Sequence, residues 1–325
     1  IYQNLKITYI SSVNVVLYIG AKPILCECNP VTYNVEPEHI EPLITKKTKA
    51  IMPVDMNGLP VDYDSLRELC DKYNIAFIAD SAEATGAIYK DKYVGSQADM
   101  HSFSFFPNKN MTTGEGGMIT TNDFDIYRKL TLLRSHGITK GNFEFPGVSR
   151  PDNSLVNKDA ALEAGELKRW YYEMQSLGFN YRITDIQSAL AISQMGKIDL
   201  FLDARRSMVK VYDKAFKDIP NITPLQAHGR DNSSHHIYVV SIDFDKIGMT
   251  RHQFMEKLAE QGVGSQVHYI PVVSQPYYQE LGYKIQQYSI TDTYYQSTLS
   301  IPLYYGLSDV DQRLVISSIR KLLGK

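Results

Sequence analysis

Two short apolar runs constrain this chain most: Thr48 to Val54 (TKAIMPV) and Ala76 to Ala79 (AFIA), the second ending on Asp80. Neither alternates between polar and apolar residues, so each reads as a strand buried on both faces. Between them, Tyr63 to Tyr73 carries Leu66, Leu69 and Cys70 at helical spacing, with Asp62 or Asp64 placed to cap it. The same grammar runs on either side. Leu5 to Ile10 is strand-like, Asn14 to Ile19 is a helix stopped at Gly20, and Lys22 to Glu27 is a strand turned by Asn29-Pro30. Glu38 to Leu43 is a short helix, and Met100 to Phe106 and Met118 to Thr121 are strands. Strand and helix therefore alternate through the first ~120 residues, which predicts an α/β domain on a mainly parallel sheet. Ligands of such sheets bind at the carboxyl ends of the strands, where Asp80 stands.

The remainder reads differently. Asp123 to Ser135 is a helix, and residues 141–165 are polar and proline-containing, a long surface loop. Thr184 to Met195 is a helix with Gln187 placed to reach back to its cap. Ile198 to Phe216 is a long amphipathic helix whose Arg205, Arg206, Lys210 and Lys214 read as a solvated basic face. Strands at Tyr238 to Phe244 and Gly264 to His268, an extended Ser300 to Leu303, and helices at Arg251 to Glu260 and Ser308 to Leu323 form an α+β unit. The expected division is a large domain over 1–205 and a smaller C-terminal domain over 206–325. The chain opens on Ile1 directly in a strand-like segment, so it reads as beginning inside a domain whose N-terminal part is missing.

Bulk properties exclude several functions. The formal net charge is -2 over 325 residues, which gives no electrostatic case for nucleic acid or an anionic membrane. No apolar run reaches the ~18 to 20 residues a membrane span needs, and the first residues do not form a signal peptide. Cys26, Cys28 and Cys70 have no zinc spacing and read as buried thiols of a reducing, cytoplasmic protein, so no metal site is expected. His235-His236 lacks a third ligand and reads as surface or strand residues.

The chemistry centres on Asp99 to Asn122, where Lys109 sits between a hydroxyl and aromatic run and the glycine-rich turn Gly114-Glu115-Gly116-Gly117. A lysine amine forms a Schiff base with a carbonyl, and pyridoxal phosphate uses that bond with a carboxylate on its ring nitrogen. Asp80 and Lys109 offer both parts. The amine must be neutral to attack, and Phe103, Phe105 and Phe106 are apolar neighbours that favour that form. The residues alone also allow the plainer reading of a turn-forming Asp, a surface Lys and a hairpin turn.

Longer stretches go further. GAKPILCECNPVTYNVEPEHI (20–40), IADSAEATGAIYKDKYVGSQADMHSFSFFPNKNMTTGEGGMITTND (78–123), LRSHGI (133–138), WYYEMQSLGFNYRITDIQSALAISQM (170–195), VHYIPV (267–272) and SIPLYYGLSD (300–309) occur in this order along the chain. In them the sequence closely resembles the DegT/DnrJ/EryC1/StrS family of pyridoxal-phosphate sugar aminotransferases. The resemblance implies fold type I of these enzymes. It implies transfer of an amino group from glutamate to C4 of a nucleotide-linked 4-keto-6-deoxyhexose, UDP-linked by preference, for a 4-amino-sugar of a surface glycan. Lys109 would be the Schiff-base lysine and proton shuttle, and Asp80 the partner of the ring nitrogen. Glu83 would lie near the phenolic oxygen, where many relatives have Gln or His. Ser104 would bind the phosphate and Tyr9 would cover one ring face. Asn180 would reach the phosphate of a partner subunit in a homodimer, and His268 and Tyr269 would face the substrate. Relatives carry a further N-terminal phosphate-binding loop ahead of this point. The competing readings are a truncated, non-catalytic subunit or regulator, and a same-fold sugar dehydratase. The dehydratase relatives replace the lysine by His, which Lys109 disfavours.

Overall fold

Six strands build the central sheet: β1 (Tyr2–Leu5), β2 (Pro23–Cys26), β3 (Ala50–Met52), β4 (Ala76–Asp80), β5 (Met100–Ser104) and β6 (Gly117–Thr120). Their spatial order is β2-β1-β3-β4-β5-β6. All neighbours are parallel except β5 and β6, which pair antiparallel through Phe103 with Met118 and Ser104 with Gly117. The computed structural model describes residues 2–5, 8–140, 157–164, 166–226, 229–284 and 289–325. The long loop expected over 141–165 lies largely outside them, and so do residues 6 and 7 of the strand expected over 5–10.

The apolar runs behave as their composition dictates. Ile51, Phe77 and Ala79 are essentially inaccessible and share one core with Leu66, Leu69 and Cys70 of α2 (Tyr63–Tyr73). Asp62 caps α2 through Ser65 N, and Asn74 ends it in the left-handed conformation at φ 51°. Helix α1 (Ser11–Tyr18) begins earlier than its apolar pattern suggests, because Ser12 and Val13 face inward. Cys26, Cys28 and Cys70 are buried and form no disulfide among the described residues.

Chain packing divides into two units, residues 1–120 with 189–325, and residues 121–188. The second contains α3 (Phe124–Arg134), capped by Asp123, and short antiparallel pairs at 138–139 with 173–174 and at 162–163 with 166–167. Helix α4 (Asp185–Met195) crosses the division and has no buried residue. In the first unit, β7 (Ile222–Pro224), β8 (Tyr238–Ile242) and β9 (Thr298–Ile301) form an antiparallel sheet. Its core is shared with α5 (Ile198–Phe216), α6 (Arg251–Glu260) and α7 (Asp309–Leu322). We keep the boundary between residues 205 and 206 as a proposal; it falls inside α5.

Three local expectations are corrected. Gly264 to His268 is not a strand: Gln266 alone pairs with Ser300, through two hydrogen bonds of 3.0 and 2.8 Å. His235 and His236 are neither strand nor surface, but buried. On α5, Lys210 and Lys214 are solvated as expected, whereas Arg205 is only 4% exposed.

His101 supports the sheet beside Asp80. It pairs in register with Ala79, its Nε2 accepts from Gln97 N and Ala98 N, and its Nδ1 meets Ser81 Oγ at 3.0 Å. An Nε2 that accepts two N–H groups is unprotonated, and burial together with Arg67 pulls the ring down to about 4 from the usual 6.5. The unfolded chain therefore binds a proton that the fold excludes, so stability is lost as pH falls from about 6.5 toward 4. Asp55, pushed up to about 6 mainly by burial, acts in the opposite sense. Replacing His101 by Gln should make the unfolding free energy less steep between pH 7 and pH 5 by about 2 kcal/mol. Denaturant titrations of both proteins at the two pH values check this.

Candidate active site

The site begins at the carboxyl end of β4. Asp80 accepts a short hydrogen bond from Ser12 Oγ, and its Oδ1 takes Ala82 N at 3.2 Å. Ser12 is presented by α1, which is why the early start of that helix matters. Burial raises the Asp80 carboxyl above its ordinary range, the nearby Glu83 adds to the rise, and the two hydrogen bonds oppose it. A carboxylate in this position gains from any cationic partner.

Lys109 lies in the loop between β5 and β6, where its N–H closes a turn on Phe106 O at 3.0 Å. Its neighbour Asn110 fixes the loop from below, with Nδ2 donating to Ser234 O at 2.9 Å. The Lys109 side chain is recessed, and Nζ is 3.7 Å from Glu83 Oε1. Glu83 is buried and well supplied with donors: Asn57 N at 2.8 Å and Tyr269 Oη at 2.7 Å. Burial by itself would push the Glu83 carboxyl up. Lys109, the Tyr269 hydroxyl and the Asn57 N–H oppose it, and the group is held below its ordinary range. Glu83 is therefore ionised at neutral pH.

One cavity of about 510 Å³ is lined by Tyr9, Asp80, Glu83, Ser104, Lys109 and Tyr269, among others. This is a ligand-sized space, and it joins six of the positions singled out in the sequence. Tyr9 is 59% exposed at its rim, with its ring 5.8 Å from that of Tyr269. Among the described residues Ser104 Oγ accepts the N–H of Phe106 and donates to none, so its proton can serve a ligand. His268 lines an adjoining cavity, to which Lys109 also contributes; its Nδ1 meets Ser300 Oγ at 2.8 Å. Asn180 belongs to the other unit, where it is exposed and pairs with Ser135.

The residues fit pyridoxal phosphate. Asp80 is a recessed carboxylate suited to a cationic ring nitrogen, Lys109 supplies the amine, and Ser104 offers a neutral donor for a phosphate. The structure also adds residues that sequence reasoning passed over. Ser12 holds Asp80, Asn57 holds Glu83, and His236 Nε2 lies 3.8 Å from Glu83 Oε1. Burial takes the His236 ring down to about 3, so it is neutral. The doublet His235-His236 was the available signal, but nothing local places it beside Glu83. That depends on the close approach of 233–236 to Asn57-Gly58, where Ser234 N donates to Gly58 O and His236 N to Asn57 O.

A model of the DegT/DnrJ/EryC1/StrS aminotransferase family matches residues 5–320. The UDP-4-amino-4,6-dideoxy-N-acetyl-beta-L-altrosamine transaminase of Helicobacter pylori is 31% identical over 315 residues, 97% of this chain and 76% of that protein. Among solved structures, Helicobacter pylori PseC, an aminotransferase involved in the biosynthesis of pseudoaminic acid, gives a TM-score of 0.87 at 29% identity, over 99% of this chain and 79% of that one. Spr1654 of Streptococcus pneumoniae gives 0.85 at 28% identity in its PMP form, over 99% and 81% of the two chains. In its PLP form it gives 0.83 at 27%, over 99% and 80%. The expected fold, that of the pyridoxal-phosphate-dependent sugar aminotransferases, is the fold observed.

Gly58 tests how the two segments meet. It has φ +88°, and a Cβ there would lie 2.1 Å from Ser234 Oγ and 2.7 Å from the Glu83 carbonyl oxygen. Gly114, at φ +77°, has open space around that position. Gly58→Ala should therefore lower the unfolding free energy by about 2 to 4 kcal/mol, against about 1 kcal/mol for Gly114→Ala. Equilibrium denaturation of both variants measures the difference.

Proposed function

We propose a specific reaction for this chain, which belongs to the DegT/DnrJ/EryC1/StrS aminotransferase family: transfer of the amino group of glutamate to C4 of a nucleotide-linked 4-keto-6-deoxyhexose, UDP-linked by preference, with pyridoxal phosphate as cofactor. The product is a 4-amino-sugar for a surface glycan, made in the cytoplasm. The observation that carries the reading is the placement of Lys109 beside the ionised Glu83 in the cavity that Asp80 also lines. The likeness to the Helicobacter pylori transaminase supports the UDP-linked substrate. The PLP and PMP forms of Spr1654 support the cofactor.

Pyridoxal phosphate, which Asp80, Lys109 and Ser104 would hold, would supply an electron sink for proton loss from the carbon next to the amine. The chain's own residues do the rest. Asp80, fixed by Ser12 and Ala82 N, holds the proton on the ring nitrogen. Lys109 Nζ carries the proton between the carbons on either side of the transferred nitrogen. Glu83 Oε1 orients that amine and is itself held by Tyr269 and Asn57, so it stays in place when Lys109 Nζ moves. Tyr9 covers the rim and excludes water from the reacting face. Ser104 donates to the phosphate.

A homodimer completes the site in this reading, with Asn180 reaching the phosphate across the interface. Helix α4 supports a second copy: Ile186 and Ile192 are 85% and 75% exposed on it, an apolar surface that association would cover.

Incubation with pyridoxal phosphate, glutamate and a panel of nucleotide-4-keto sugars should give one aminated product by mass; amination of none sinks the reading. Asp80→Asn should lower turnover on the order of a hundredfold or more, and full activity would remove its assigned role. Mixing inactive Asn180→Ala and Lys109→Ala subunits should restore part of the activity. No recovery argues against a shared site.

A further inference from the structure

Two cavities adjoin Lys109, and they differ in charge. The one described above has Asp80, Glu83 and Glu115 among its lining residues. The other, of about 580 Å³, is lined by Lys109, Arg205, His236, Gln266 and His268 among others, and none of its described lining residues is an Asp or Glu. The first suits a cationic ring, whereas the second is built for an anion.

Arg205 decides the point. It projects from α5 and is 4% exposed, among the residues least often buried without a partner. Its Nη1 donates to the carbonyls of His235, His236 and Leu303 at 3.1, 3.0 and 3.1 Å. Its Nε is buried without a hydrogen-bond partner, and no carboxylate pairs with it among the described residues. The three carbonyls hold one nitrogen and carry no charge. They leave a buried guanidinium without a counter-charge, which is unfavourable in general. Burial lowers its affinity for its proton, to about 10 from 12.5, without discharging it at neutral pH. His236 beside it is 2% exposed, and neither of its ring nitrogens has a hydrogen-bond partner. Arg205 Nε and the two ring nitrogens of His236 are thus buried without a hydrogen bond beside one cavity.

We propose that Arg205 forms an anion subsite in this cavity that takes the carboxylate of the amino donor, an inference that rests on the aminotransferase reading. Guanidinium matches a carboxylate through two parallel N–H bonds, and Nε is one of the donors left over. The position also favours the donor over the nucleotide. In an amino acid the α-carboxylate sits on the carbon whose proton Lys109 must move. In a nucleotide-linked 4-keto sugar the diphosphate is on C1, across the ring from the reacting C4. A cavity shared with Lys109 therefore suits the carboxylate. Neutral His236 at the same wall adds no charge. In this way one lysine serves two chemically unlike substrates, and the anion of only one of them has its counter-charge in this cavity.

Calorimetric titration of the cofactor-loaded protein with sodium glutarate, at fixed ionic strength, tests the subsite. Glutarate should bind the wild type, and pyrophosphate should not displace it. Arg205→Gln and Arg205→Lys should each weaken glutarate at least tenfold, and Arg206→Gln should not. The variants should also raise the KM for glutamate by a larger factor than the KM for the amino sugar in the reverse half-reaction. Thermal melts show whether each variant folds, and Arg205→Lys decides the matter if Arg205→Gln does not. No glutarate binding to the wild type, unchanged glutarate affinity in a folded Arg205 variant, or displacement by pyrophosphate overturns the proposal. Any of these results with glutamate turnover intact removes the subsite alone. Absence of transamination with every donor removes the aminotransferase reading itself.

Discussion

The site depends on one buried carboxylate that stays charged. Glu83 is 6% exposed, a position from which an unpaired Glu would ordinarily neutralise itself by taking up a proton. It remains ionised because three groups from separate parts of the chain converge on it. The Asn57 N–H comes from the turn after β3, Lys109 from the loop after β5, and Tyr269 from the segment beside β9. Removing one partner of a buried ion pair ordinarily costs about 3 to 5 kcal/mol, so these elements are tied to each other through Glu83. The backbone adds to the tie, since Ser234 Oγ donates to the Glu83 carbonyl at 2.5 Å. The central sheet and the antiparallel sheet thus meet at Lys109.

Around that anchor the charges are sorted. Acidic groups face the cavity that Tyr9 rims, where a protonated ring nitrogen is the fitting partner. The cavity on the other side of Lys109 has cationic and neutral groups and leaves Arg205 without an anion. In the proposed reading, this arrangement would let one amine work between a cationic cofactor ring and an anionic substrate without moving far. It also explains why the histidines are neutral: burial and adjacent cations lower His235 and His236 alike, to about 3. Protonated imidazoles at these positions would add to a cationic excess that the fold already leaves uncompensated.

Local physics made much of the fold legible. The bounds of α2, α5 and α6 follow from apolar spacing and from capping residues such as Asp62 and Thr250. The buried strands β3 and β4 follow from uninterrupted apolar runs. Asp80 and Lys109 are the residue types that pyridoxal-phosphate chemistry asks for, and the family resemblance of the stretches around them singled them out. What stayed hidden was set by contacts distant in sequence. Arg205 sits on a helix whose other basic residues are solvated, and only the carbonyls of 235, 236 and 303 draw it inward. His236 reaches Glu83 because Gly58 lets a neighbouring segment approach within the space of a missing Cβ. Gln266 pairs with a single residue of β9, so its β-like composition is not extended into a strand. None of these choices has a signature within a window of ten residues.

The central claim is that Lys109, among the 34 lysines and arginines of the chain, is the amine that takes the cofactor. Incubation with pyridoxal phosphate, reduction with borohydride and peptide mapping by mass spectrometry tests it directly. A single phosphopyridoxyl group on the peptide that contains Lys109 is the predicted result. Label spread over surface lysines such as Lys210 and Lys214, or none on Lys109, would contradict the account.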